Sequence, residues 1–116
     1  MIVKIVLNDR ANPPGKVADA ELHFTEADGV LAGLKLIGFS VWERNRGAGG
    51  FNVTFPARQY QVNGERRSFA LLRPIVDTTA QDRIREAILS AYRDHVDEAA
   101  ADTGNPNDRA SRHAFD

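Results

Sequence analysis

The sequence predicts an α+β domain: an antiparallel β-sheet of about five strands, followed by one C-terminal helix packed on it and a disordered tail. Three observations predict it. From Met1 to Leu72 the apolar residues alternate with polar ones in short runs, which is the two-residue period of half-buried strands. Glycine and proline punctuate those runs at turn positions. Beyond Pro74 the apolar spacing changes to three and four, that of a helix with one apolar stripe.

Val3, Ile5 and Leu7 form one face of a first strand. Its other face, Ile2, Lys4 and Val6, is also mostly apolar, so cover is expected on both sides, a second subunit being one source. Asn12-Pro13-Pro14-Gly15 then makes a polar connection. Ala18, Ala20, Leu22 and Phe24 alternate with Asp19, Glu21, His23 and Thr25 in a half-exposed strand, and Asp28-Gly29 turns it back into a long run from Val30 to Trp42. Inside that run the apolar register switches between Leu36 and Ile37 beside Gly38, the pattern of a β-bulge.

Phe51, Val53 and Phe55 alternate with Asn52 and Thr54 until Pro56 removes the next ladder donor. Tyr60-Gln61-Val62 and Arg67 to Leu72 flank Asn63-Gly64, the dipeptide best suited to two positive-φ residues in a tight hairpin. Thr78-Thr79-Ala80-Gln81 reads as a capping box, and Ile84, Ala87, Ile88, Ala91 and Tyr92 give the helix an apolar stripe to lay on the sheet. The stripe fades from Ala99, and Thr103-Gly104-Asn105-Pro106 breaks it. The expected organisation is one domain over residues 1–98 and a flexible tail over 99–116, with Phe115 a solitary aromatic that could dock on a partner.

The ordered set Leu34 to Ile37, Gly50-Phe51-Asn52-Val53-Thr54-Phe55-Pro56-Ala57-Arg58, Asn63-Gly64-Glu65, Arg73-Pro74-Ile75, and Thr78-Thr79 leading into Arg83 to Tyr92 resembles the SpoVG family, stage V sporulation protein G. The resemblance covers roughly residues 1–95. It implies a small bacterial cytoplasmic protein of the sporulation and septation type, a homodimer formed through strand pairing that binds nucleic acid, DNA in particular, and regulates gene expression. It also implies a binding face around the C-terminal helix, here Arg83 and Arg85. Two departures stand out: the longer segment Gly38 to Gly50, and Gln81-Asp82 where the family's first helical turn is typically basic. Attention therefore moves from the helix alone toward the hairpins in front of it.

Charge distribution points the same way. The 116 residues carry a net charge of −1, too little for a protein that coats nucleic acid through many phosphate contacts. Between Arg44 and Arg73, however, Arg44, Arg46, Arg58, Arg66, Arg67 and Arg73 face only Glu65, and arginine rather than lysine suits bidentate phosphate or base contacts. A solvated set of hairpin ends is the competing account. Phe39, Trp42, Phe51, Phe55, Tyr60 and Phe69 lie in the same region, and rings interleaved with guanidinium groups can stack bases while holding phosphates. Core packing is the stronger account for Phe51, Phe55 and Phe69, which with Val53 and Leu71 are expected to bury against the helix; Trp42 and Tyr60, at strand ends, are better stacking candidates, with a dimer contact as competitor.

Other chemistries find less support. Arg44 to Gly50 could wrap an anion with its amides, but a mobile hairpin connection is the stronger account, and it has none of the common nucleotide-loop spacings. His23, His95 and His113 show no spacing that joins them to a carboxylate or to one another, and Asp94, Asp97 and Glu98 read as a solvated helix face. The absence of cysteine excludes disulfides and thiolate chemistry and fits a reducing cytoplasm. No signal peptide or membrane span is expected, Met1 to Leu7 being too short. The expected protein is a cytoplasmic non-enzyme without cofactor, metal or small-molecule substrate, whose partners are a second copy of itself and DNA or RNA. The rival reading is a dimeric protein-interaction scaffold that binds another protein at an exposed strand edge or the Trp42 loop.

Overall fold

The computed structural model describes residues 1–10, 12–44 and 50–104, the last five as backbone only. Among these residues, six strands and one α-helix are arranged as a four-stranded antiparallel sheet, a separate two-stranded sheet and a C-terminal helix, so the chain is an α+β domain. The first sheet runs in the order β1 (Ile2–Leu7), β2 (Lys16–His23), β3 (Lys35–Arg44) and β4 (Gly50–Thr54), a meander in which every neighbour is antiparallel. The second pairs β5 (Ala57–Val62) with β6 (Glu65–Ala70), and α1 spans Thr79–Gly104.

Registers bring small and large apolar residues into rows on one face of the main sheet. Ile5 lies opposite Ala20 and Ala20 opposite Phe39; Leu7, Ala18, Val41 and Val53 form the next row. The alanines on β2 make room for the helix, whose Ile88 is buried among them together with Leu22, Phe39 and Val41. Leu89 joins that core, while Ile84, Ala91 and Tyr92 pack at its margin. Burying a side chain of this size is worth about 1.5–3 kcal/mol, so this row of contacts holds α1 to the sheet.

The expected bulge is present. Between the pairs Ala20–Phe39 and Leu22–Leu36, β3 uses one residue more than β2, and Gly38 takes a φ of 105° there. Asn63 and Gly64 have φ of 52° and 81°, the two positive values that the β5–β6 hairpin requires. Pro56 ends β4, and its carbonyl accepts the Leu71 amide at 2.8 Å, which starts the separate ladder.

Four expectations are corrected. The segment Val30 to Leu34 is not strand: the Thr25 amide donates to Asp28 Oδ2 at 2.7 Å and the Asp28 amide to the Thr25 carbonyl at 2.8 Å, winding Glu26–Leu31 into a 3₁₀ turn. That local capping outcompetes the apolar alternation. Phe69 and Leu71 do not bury against α1; they remain 38% and 57% exposed, because Pro56 takes the hairpin out of the main sheet. At the start of α1 the side-chain acceptor is Asp77, one residue before the expected capping box, taking the Thr79 amide at 3.0 Å and the Thr79 hydroxyl, while Thr78 contributes its carbonyl to the Asp82 amide at 3.2 Å. The helix continues to Gly104, past the point where its apolar stripe fades, and Phe115 lies outside the described residues.

Among the described residues, only one face of β1 is covered. Ile5 is buried under α1, whereas Ile2 and Val6, on the opposite face, stay exposed. Among the described residues no helix is long and apolar enough to cross a membrane.

Candidate nucleic-acid interface

Alternation along β5 and β6 sorts the hairpin into two faces. Arg58 pairs opposite Phe69 and Tyr60 opposite Arg67, so one face carries two arginine–aromatic pairs set crosswise. The Tyr60 and Phe69 rings meet edge to face at 5.6 Å, and the Arg73 guanidinium lies 5.9 Å from the Phe69 ring centroid. Such an arrangement offers ring faces and guanidinium groups side by side. Arg67 donates to Glu65 Oε2 at 3.2 Å, an exposed contact that a phosphate can displace. Arg66, opposite Gln61, points to the other face.

The hairpin face leads into a cleft at the start of α1. Its walls are Phe55, Leu72, Pro74, Ala80 and Ile84, its rim carries Arg73, Gln81 and Arg83, and its volume is ≈ 290 Å³. A second hollow of ≈ 400 Å³ shares Arg73, Pro74, Ala80 and Arg83 and extends past Ile75 and Val76. Those two side chains are 98% and 92% exposed, an apolar shoulder beside a basic rim. The Gln81 amide is anchored to the Leu72 carbonyl at 3.2 Å, fixing one wall of the cleft.

The helix arginines divide. Arg85 is engaged twice, donating to Asp82 Oδ1 at 2.8 Å and lying 5.4 Å from the Phe55 ring centroid. Asp82, conspicuous in the sequence as an acid in a turn expected to be basic, thus draws Arg85 to itself. Arg83 faces the cleft with Arg73, and its charge helps hold the Asp77 carboxyl below the usual carboxylate range; the larger causes are the hydrogen bonds from the Thr79 hydroxyl and amide.

No protein-family model, curated protein or solved structure matches this chain. The resemblance to SpoVG proteins therefore rests on the residues set out above, and the site on its own geometry.

Of the arginines singled out in the sequence, Arg58 and Arg67 come together on one hairpin face, and Arg83 joins them through Arg73, which the sequence marked only as one charge among six. Arg66 faces away, and Arg44, paired with Gly50, sits at the end of β4 remote from Pro56, about 13 Å of strand from Thr54. Arg46 and the loop 45–49 lie outside the described residues. Trp42 is half-buried and donates from Nε1 to Thr54 Oγ1 at 2.9 Å, on the sheet face that α1 does not cover.

His23 does meet a carboxylate. Its Nε2 lies 2.8 Å from Glu21 Oε1, which also accepts from Lys35 Nζ at 3.4 Å. Residues two apart on a strand share a face, a relation that a search for metal-ligand or catalytic spacing passes over. The His23 bond, with smaller help from Lys35, lowers the Glu21 pKa. Among the described residues no group of three or more His, Asp or Glu side chains could hold a metal ion.

Proposed function

We propose that this chain is a nucleic-acid-binding regulatory protein of the SpoVG type, a cytoplasmic, non-enzymatic homodimer that uses the β5–β6 hairpin rather than α1 alone as its binding face. The observation that carries this reading is the crossed arrangement of cross-strand arginine–aromatic neighbours, Arg58 opposite Phe69 and Tyr60 opposite Arg67, continued by Arg73 over Phe69 into the cleft beside Arg83. Guanidinium groups take phosphates and rings take bases, and the two types alternate here at the spacing of a sheet. A dimer would present the modest basic surface twice, compensating for the low net charge. A lone two-stranded ribbon is marginal by itself, which also favours a second copy as partner.

Gel-shift titration against single- and double-stranded DNA and RNA, at low and raised salt, tests the reading. Binding that weakens with salt and with the Arg58→Ala plus Arg67→Ala double variant supports it. Absence of binding to any of the four at low salt rejects it.

The rival is a dimeric scaffold for another protein. It is favoured by the exposed Ile2 and Val6 on β1, an edge strand whose outer hydrogen-bonding groups are open to strand addition. It predicts a complex from lysate that survives nuclease treatment.

A further inference from the structure

The cleft at the start of α1 is more than a continuation of basic surface. Its floor is apolar, from Phe55, Pro74 and Ile84, whereas its rim is cationic, from Arg73 and Arg83. A phosphate alone would leave that floor unfilled, and a purely apolar group would leave two guanidinium groups without an acceptor. A ligand that joins a flat apolar body to an adjacent anion satisfies both. Within the nucleic-acid reading above, on which this inference rests, that ligand is a nucleotide unit.

We infer that the cleft receives one unstacked base of a single-stranded nucleic acid, with the neighbouring phosphates on Arg73 and Arg83. The volume of ≈ 290 Å³ lies just below the usual range of small-molecule pockets, about 300–1,000 Å³, as suits a single base rather than a larger ligand. A duplex keeps its bases paired and stacked and presents none of them to such a hollow, whereas a single strand can splay one out. The path is also continuous. Arg73 reaches back over Phe69, so a strand stacked on Tyr60 and Phe69 runs directly to the cleft. Asp77 is the acid beside the entrance, and its carboxylate is occupied by the Thr79 hydroxyl and amide and neighboured by Arg83. Asp82 is likewise engaged, by Arg85.

The test is fluorescence anisotropy at low salt with one short labelled oligonucleotide offered as a single strand, as a duplex, and as an abasic strand of the same charge. The single strand is expected to bind about tenfold more tightly than either of the others, the contribution typical of one base on an apolar surface. Ala80→Phe, which fills the cleft without altering charge, is expected to erase that advantage. Photo-crosslinking of a 5-iodouracil strand to the unmodified protein locates the base independently of any variant's folding, with the crosslink expected at Phe55 or within residues 72–84. Equal affinity for single strand, duplex and abasic strand overturns the inference and leaves nucleic-acid binding standing. So does a crosslink confined to Tyr60 and Phe69, which would place the bases on the hairpin alone. No binding to any probe overturns the proposed function itself.

Discussion

A side chain on Gly38 would collide with Pro56: a Cβ built there lies 2.9 Å from the Cβ of the proline. Gly38 also has a φ of 105°, where L residues are strained. The two residues sit where the β3 bulge meets the point at which the chain leaves the main sheet. The Gly38→Ala protein is expected to lose about 2–4 kcal/mol of stability, combining positive-φ strain with overpacking against a rigid ring. Urea denaturation followed by circular dichroism measures it, and a loss under about 0.5 kcal/mol, the range of an ordinary surface substitution, would show that the bulge relaxes freely.

Ile88 tests the helix–sheet core. It is fully buried against the alanine-bearing rows of β2. Ile88→Ala is expected to cost about 2–5 kcal/mol, the range for a large-to-small change in a packed site. Ile75→Ala, at an almost fully exposed position, is expected to stay within about 0.5 kcal/mol of wild type in the same denaturation experiment.

Acid should loosen the start of α1. The Asp77 carboxyl is held below its ordinary range by the Thr79 hydroxyl, the Thr79 amide and Arg83, so its folded pKa lies below its unfolded one. Its contribution is present above the unfolded pKa and is lost as pH falls through the folded value. Asp28, lowered chiefly by the Thr25 amide, acts in the same direction. The melting temperature of the wild type is therefore expected to exceed that of Asp77→Ala at pH 7, and the gap to close at the acid end of a pH series. A gap independent of pH would mean that the charge of Asp77 is immaterial to the cap.

Binding should separate the two faces of the hairpin. Arg58→Ala plus Arg67→Ala is expected to reduce the slope of log affinity against log salt by about 2, one unit for each phosphate contact removed. Arg66→Ala alone, on the opposite face, is expected to leave that slope unchanged in the same titration. Equal effects from the two faces would point to diffuse attraction and not to a defined platform.

Much of this architecture could be read from local sequence because backbone demands are local. Asn63-Gly64 could serve only a tight hairpin, and the register switch beside Gly38 marked the bulge. Alternation, however, reveals which residues share a face and is silent on whether anything covers that face. Phe51 and Phe69 belong to similar patterns, yet Phe51 packs on Tyr92 of the helix at 5.1 Å while Phe69 stays 38% exposed on the hairpin, away from the helix. Val30 to Leu34 misled for another reason, since Thr25 and Asp28 spend their hydrogen bonds on a 3₁₀ turn. In the candidate site, the arginine cluster was visible as composition. Its division was not, because adjacent Arg66 and Arg67 part to opposite faces and Arg73 acts from an irregular connection.

Among the described residues the β5–β6 ribbon is hydrogen-bonded as a sheet only to itself, and nearly all of its residues are exposed. Amide protons in β2 and β3, each flanked by two strands, can exchange only when the core opens, whereas those of the ribbon need only a local opening that costs little. The free protein is thus expected to show a slow-exchanging sheet and a fast-exchanging arm in one chain. Whatever settles on that arm, a nucleic-acid strand or a second protomer, writes its footprint as slowed exchange between Ala57 and Ala70 against a core that is already silent.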